Sequence, residues 1–293
     1  MILKRMFLFT VLLFGGMFLV NSVVIPHVRR ARGHNELRQL SLQKGREVIM
    51  QAIVAHGGLA AWQNKVDVSL HLTDRWNALP GAVFSSLINM WPEREVKTQQ
   101  YHLLHQRASR LEMNTPAGKH VWGYRDFQPW AFLNNQTDPE NIRRADLTLP
   151  LSNYLLALPY RFLDAGAYPH FVNEIKENGR IFDRVRVVFG LNAGTYPPNE
   201  YVADFDQATG RLARLEFTLR EKMPSYVTMR ADFENYQRFD GLWMPTQIDF
   251  RLVKPLCDLP LHRWQISEVR FNTGVAENFF TREAGRRSDA IPL

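Results

Sequence analysis

From Phe182 to Phe271 apolar and polar side chains take turns along the chain, and short Gly, Asn and Asp segments separate the runs. Tyr201, Ala203 and Phe205 alternate with polar positions before Asp206-Gln207-Ala208-Thr209-Gly210. Ala213, Leu215, Phe217 and Leu219 do so after it. A period of two places such side chains on one face of a sheet. The same rhythm groups Val185, Val187 and Phe189, then Val227, Met229, Ala231 and Phe233, then Met244, Ile248, Phe250 and Leu252. Trp264 to Phe271 supplies a last strand. Asn178-Gly179 and Asp240-Gly241 carry the signal of tight turns between strands. A face of this kind either packs on other protein or stays partly open to hold an apolar ligand.

Upstream the pattern is more mixed. Val66, Val68, Leu70 and Leu72 alternate with Asp67, Ser69, His71 and Thr73, which predicts a half-buried strand. Weaker strands are expected over Glu95 to Leu103, Ala108 to Asn114 and Lys119 to Arg125, the last two joined by the loop Asn114-Thr115-Pro116-Ala117-Gly118. Phe127 to Pro150 does not alternate and reads as a loop with some helix. Ser152 to Leu158 reads as a short apolar helix stopped at Pro159, with Tyr160 and Phe162 extending its apolar surface. Gly45 to His56 carries Val48, Ile49, Ala52 and Ile53 at helical spacing. Gly57 is placed to end that helix in a left-handed conformation, and His56 to complement its dipole. The order is a helix, about four strands, a helical interruption and about six strands, which implies an antiparallel meander in a mainly β fold. A twisted sheet of about ten strands curls. The two apolar helical segments, Val48 to Ile53 and Leu151 to Phe162, are the natural cover for its concave side.

Composition narrows the function classes. The 293 residues are 45% hydrophobic and 22% charged, as in a globular protein with a substantial core. The net charge of +7 is concentrated at the start, where Lys4, Arg5, Arg29, Arg30 and Arg32 precede the first acid, Glu36. The remainder is nearly balanced and has no clustered basic footprint for nucleic acid. Cys257 is the single cysteine, so an intramolecular disulfide framework and a Cys-rich zinc site are excluded; it reads as a small buried hydrophobe. Met6 to Ile25 is an apolar stretch of roughly the length that crosses a bilayer, longer than a usual signal-peptide core. The expectation is an uncleaved anchor within residues 1–28, a polar linker over 29–43, one folded body over 44–280 outside the cytoplasm, and a disordered polar tail over 281–293.

No specific catalytic constellation is present. G-x-S-x-G, H-E-x-x-H, a phosphate-binding glycine loop and a dinucleotide fingerprint are all missing from the sequence. His102 and His105, with His71 or His120, suggest a metal site, but residues three apart in a strand face opposite ways, and surface or turn histidines are the simpler account. Asp138 and Glu140 resemble an acid and base pair, yet Asp-Pro beside an Asn-rich loop is ordinary turn and helix-start chemistry. Arg184, Arg186, Arg211, Arg214 and Arg220 suit phospholipid head groups; solvated strand faces explain them as well. No metal, cofactor or enzymatic activity is expected.

The segment Asn199 to Leu212, with the wording NEYVADFDQATGRL, resembles the strand-turn-strand of LolA-like proteins, periplasmic carriers of lipoproteins and their relatives. Gly179 to Val187 is similar to their preceding strand, and Phe233 to Tyr236 with Phe239 to Pro245 to their next hairpin. Ala55 to Trp62 is similar to the helix ending that opens many such envelope proteins. The likeness covers roughly Gln43 to Phe271 in element order. It implies an unclosed half-barrel, plugged by helices, whose hollow face holds acyl chains without a reaction or cofactor. The residues then expected to line the cavity are Val185, Val187, Phe189, Tyr201, Phe205, Leu215, Phe217, Val227, Met229, Phe233, Ile248 and Phe250 from the sheet, with Leu155 and Phe162 from the cover. The retained apolar N-terminus and the lack of a lipobox cysteine depart from the soluble carrier and its outer-membrane receptor. They favour a tethered lipid-binding protein in the cell envelope. Two other readings stand beside it: an envelope hydrolase using acids or histidines such as Asp138 and His120, and an assembly scaffold with a fully packed sheet.

Overall fold

A computed structural model of the chain describes residues 35–77, 81, 90–189, 200–218, 227–254 and 258–286. The chain divides into two units, Met1–Leu40 and Ser41–Leu293. In the first, the described residues 35–40 are helical. The expected membrane anchor, Arg220 and Cys257 lie outside the described residues. Among the described residues no helix is long and apolar enough to cross a membrane.

The second unit is built on one antiparallel sheet of thirteen strands among the described residues. The first six are β1 (Asp67–Trp76), β2 (Glu95–Leu103), β3 (Ala108–Thr115), β4 (Gly118–Arg125), β5 (Gln128–Leu133) and β6 (Gln136–Thr137). The other seven are β7 (Ala167–Glu177), β8 (Arg180–Phe189), β9 (Glu200–Asp206), β10 (Leu212–Phe217), β11 (Thr228–Phe239), β12 (Leu242–Lys254) and β13 (Leu259–Phe271). Their spatial order is β6-β5-β4-β3-β2-β1-β13-β12-β11-β10-β9-β8-β7. Two sequence-local meanders therefore meet at one seam, where β1 pairs with β13 and Asp74 lies opposite Trp264. The edges β6 and β7 do not pair with each other, so the curved sheet is an unclosed half-barrel.

Helices occupy the concave side. Helix α1 (Asn35–Ala55) buries Val48, Ile49, Ala52 and Ile53 in the main core. It runs from Asn35 among the described residues, so the polar stretch expected as a linker is partly helical, with Arg38 exposed on it. Gly45 sits tight against the edge strand β7, where an added Cβ would lie 2.3 Å from the Pro169 carbonyl oxygen. Ser41 Oγ donates to the Phe171 carbonyl beside it, at 2.9 Å. The helix ends at Gly57, whose φ of 118° and close approach to the Gly241 carbonyl, 2.5 Å from an added Cβ, exclude a larger residue. A short helix α2 (Leu59–Gln63) follows and buries Trp62.

Helix α3 (Pro139–Leu156) is longer than the expected Ser152 to Leu158 and carries Pro150 inside it. The stretch Phe127 to Pro150, read as a loop with some helix, holds β5, β6 and this helix from Pro139 to Pro150. Asp138 caps α3 by accepting from the Asn141 N–H at 3.2 Å, and Pro139 fills the first turn, where no N–H is needed. A 3-10 turn over Tyr160–Leu163 then carries Phe162 onto β9. Together α3 and this turn connect one edge of the sheet to the other across the concave face.

The convex face is covered at one end. Residues expected as a tail form helix α4 (Arg282–Arg286), whose Gly285 packs on Trp130. Phe279 and Phe280 pack against the outward-facing Tyr101, Leu103 and Ala108. Trp130 is held between Gly123 and Gly285, where added Cβ atoms would lie 1.9 Å and 2.2 Å from its ring.

Candidate ligand-binding face

The concave face is apolar along one half and carries a buried polar row along the other. Along β8 to β12 its inward positions are apolar. Val185 and Val187 on β8 lie opposite Ala203 and Tyr201 on β9, while Leu215 and Phe217 on β10 lie opposite Ala231 and Met229 on β11. Ile248 and Phe250 on β12 face Phe233 and Ala231. All fourteen residues expected as lining are buried in one apolar cluster, none more than 8% exposed, and Val185, Val187, Leu215 and Ile248 are at 0%. The cover reaches them directly. The Phe162 ring centroid is 6.4 Å from that of Phe205, and Tyr154 of α3 stacks on Tyr201 at 5.2 Å. Ala203, Ala231, Leu252, Tyr154 and Tyr160 belong to the same cluster. The strand members share the parity of the named lining and were legible from it, and Tyr160 belongs to the apolar surface expected of the cover; Tyr154 was not singled out.

Along β1 to β4 buried polar side chains sit among inward apolar ones such as Leu70, Leu72, Leu111 and Trp122, which alternation did not reveal. Thr98, Gln100 and His102 form a row on β2. Gln100 Nε2 donates to Thr98 Oγ1 at 3.0 Å, and His102 lies 3.0 Å from Gln100 Oε1 and 2.8 Å from Ser109 Oγ. Asn153 of α3 donates to Ser109 Oγ at 3.3 Å and accepts from Arg161 at 3.0 Å. Each member is partnered, so the row fixes how α3 sits on this half.

At the seam the two halves join in an aromatic cluster. His262 Nδ1 is 2.8 Å from Asp74 Oδ1, while Trp91 Nε1 and Trp264 Nε1 donate to Asp74 Oδ2 at 2.6 Å and 2.9 Å. Trp76 and Phe250 stack on the two faces of the His262 ring, with centroids at 4.1 Å and 4.3 Å and planes within 7°.

Of the groups weighed as catalytic or metal-binding, two histidines lie elsewhere than expected, while Asp138 and Glu140 are the helix-start residues that the sequence suggested. His102 and His120 are buried, not at the surface: the polar row holds the first, and the second lies against Thr115 and Asn141. His71 is half-buried and pairs with Glu268 at 3.1 Å, and His105 packs edge-on to Trp62. Among the described residues no three His, Cys, Asp or Glu side chains gather as a metal site. Asp138 is the cap of α3, and Glu140 pairs with Arg144 at 2.6 Å.

His56 also departs from its expected role. Burial pushes its pKa down to about 4, so it adds no charge to the end of α1. It is instead a junction: Nδ1 is 2.7 Å from the Ala52 carbonyl and Nε2 3.3 Å from Tyr236 Oη. Its own carbonyl accepts from Tyr160 Oη at 3.0 Å and from the Trp243 N–H at 2.9 Å. Burial pushes His102 down to about 3. Unfolded histidines protonate near pH 6.5, so both contributions are full above that pH. They fall away as the pH drops toward about 4 for His56 and about 3 for His102. Urea unfolding followed from neutral pH downward is expected to show this loss, at about 1.4 kcal/mol per pH unit per histidine. His102→Gln should flatten the slope by one proton's worth; an unchanged slope would show that His102 takes no part.

The arginines expected on the sheet's polar face are engaged with side chains of the protein. Arg184 binds Asp204 with two bonds of 2.7 Å and 2.8 Å, Arg186 pairs with Glu200 at 2.5 Å, and Arg214 with Glu177. Arg211 stacks over Trp243 at 3.8 Å.

No protein-family model and no curated protein matches the sequence. Solved structures do match. A LolA superfamily protein from Nitrosomonas europaea superposes with a TM-score of 0.54 at 11% identity, covering 82% of this chain and 98% of that one. The fold is LolA-like. A putative outer membrane lipoprotein-sorting protein domain from Vibrio parahaemolyticus gives a TM-score of 0.51 at 15% identity, covering 84% of this chain and 100% of that one. A DUF1329 family protein from Desulfovibrio piger gives 0.53 at 12% identity, covering 83% and 98%. The LolA-like element order expected from the hairpin around Asp206 to Gly210 is therefore present along most of the chain.

Proposed function

We propose that this is a non-enzymatic protein of the cell envelope that binds or transfers a lipid or lipoprotein acyl chain on the concave face of its sheet. The observation that carries this reading is the apolar half of that face, from Val185 to Phe250, with α1, α3 and the Tyr160–Leu163 turn laid over it. The names of two structural relatives, a LolA superfamily protein and a lipoprotein-sorting domain, support the same chemistry. Burying an acyl chain gains about 0.8 kcal/mol per methylene, so about a dozen methylenes offset the parting of a modest cover. The helices form a core until the ligand displaces them. The N-terminal apolar segment would tether this body to the inner membrane, on its periplasmic side.

The role of Asp138 as a helix cap and the pairing of Glu140 with Arg144 argue against the hydrolase reading. The complete burial of the apolar face favours a packed scaffold as the second reading. Native mass spectrometry after gentle purification, with titration of a fluorescent fatty acid, decides between them. Co-purified lipid and saturable uptake are the expected outcome. No bound lipid together with no uptake would leave the scaffold.

A further inference from the structure

Several buried polar groups on the concave side have no hydrogen-bond partner among the described residues, Trp122 Nε1 and Ser152 Oγ among them, and two of them lie together at the seam. His262 Nε2 and Trp76 Nε1 are buried without a hydrogen-bond partner among the described residues. Their residues are 2% and 3% exposed, and their rings are stacked on one another. The chemistry of the pair is complementary. Because His262 Nδ1 faces a carboxylate oxygen of Asp74, the hydrogen of a neutral ring sits there and Nε2 is left as an acceptor. The indole N–H of Trp76 is a donor only. Phe250, on the other face of His262, belongs to the expected ligand lining, so the pair lies beside that apolar surface.

We propose that His262 and Trp76 form a polar receptor for the ligand at the end of its apolar face. The group they fit is one that both donates and accepts on an otherwise apolar chain, a hydroxyl or an un-ionised carboxyl. Its hydrogen is donated to His262 Nε2, and its oxygen accepts from Trp76 Nε1. Asp74, fixed by Trp91 and Trp264, acts as a positioning residue that holds the imidazole in the accepting form. The aromatic faces of Trp76 and Phe250 leave only the ring edge of His262 for contact, which makes the receptor selective for the group and indifferent to chain length.

This inference rests on the lipid-binding reading, and the test separates the two. The full chain in nanodiscs would be titrated with 1-hexadecanol and with hexadecane, each competing against the fluorescent fatty acid. The alcohol is expected to bind about tenfold more tightly, the scale of one buried polar pair satisfied or left empty. Trp76→Phe, which keeps the stack and removes the N–H, should abolish most of that ratio without weakening the alkane. The indole N–H resonance of Trp76, identified by its loss in that variant, should shift with the alcohol and not with the alkane. Equal binding of the two probes, or an indole resonance unmoved by either because a resident water holds it, overturns the receptor while leaving the carrier. Failure of both probes to compete overturns both.

Discussion

Asp74→Ala is expected to destabilise the protein by about 3–5 kcal/mol, the range for breaking a buried polar pair from one side. The Asp74 carboxylate is fully buried and takes three N–H groups, from His262, Trp91 and Trp264. Truncation strands all three donors in a site closed by Trp76 and Phe250. An orphaned buried donor costs about 1–3 kcal/mol, and the three do not add fully, because the rings relax together. Asp74→Asn is expected to lose far less, about 1–2 kcal/mol. The amide oxygen still accepts from the two indoles, and the imidazole can move its hydrogen to Nε2 and accept from the amide at Nδ1. Urea denaturation of the three proteins measures the ordering. A loss below about 1 kcal/mol in the alanine variant would mean that the carboxylate does not anchor the seam.

Gly123→Ala should act as a large substitution despite adding one carbon. Its Cβ would lie 1.9 Å and 2.1 Å from two atoms of the Trp130 ring, which Gly285 confines on the other side. Trp130 cannot retreat without lifting α4 and the Phe279–Phe280 pair from the convex face. Overpacking of this kind costs about 1–3 kcal/mol and more where the neighbour is pinned. The diagnostic is the double-mutant cycle with Trp130→Ala. Alone, Trp130→Ala leaves a large void at about 3–5 kcal/mol; in its presence, Gly123→Ala should cost almost nothing. Additive losses would place the strain in the strand backbone and not in the ring contact.

The strands that declared themselves in the sequence are those with one wet face. On β8 to β12 the arginines and acids of the outward face contrast sharply with inward Val, Leu and Phe, so period two is plain. On β2 the contrast is erased, because Thr98, Gln100 and His102 point inward while Tyr101 and Leu103 point outward beneath Phe279 and Phe280. A strand covered on both faces, with its polar residues on the inside, has no amphipathic signature. Val66 misled in the opposite sense: it extends the alternation of Val68 and Leu70, yet it precedes β1 and is 60% exposed. Helix α3 was obscured by Pro150 and by buried Asn141, Thr148, Ser152 and Asn153, although its start at Asp138-Pro139 was readable as capping chemistry. The strands beside it turn at Asp126-Phe127 and Asn134-Asn135, all with positive φ. The Asn pair is a recognisable two-residue turn. Phe127 is not, and Arg107 stacked 4.2 Å from its ring is the contact that accompanies it. The apolar inward face of β8 to β12 was legible because burial there follows the strand period. The seam cluster was not, since Asp74 and His262 meet only through a pairing distant in sequence.

The unequal edges of the sheet bear on solubility. A barrel would close only if β6 met β7, but β6 offers two residues to a strand of eleven. The backbone groups on the free side of β7 would then be open to pairing with another chain, the usual route to edge-to-edge aggregation. Three features blunt that edge. Helix α1 lies against its first part, where Ser41 bonds the Phe171 carbonyl and Gly45 presses on Pro169. An irregularity between Phe171 and Asn173 breaks the ladder in the middle. Glu174, Lys176 and Glu177 charge the remainder. The same helix that covers the apolar face thus also guards the gap that keeps the half-barrel open, and a helix drawn away from one would uncover the other.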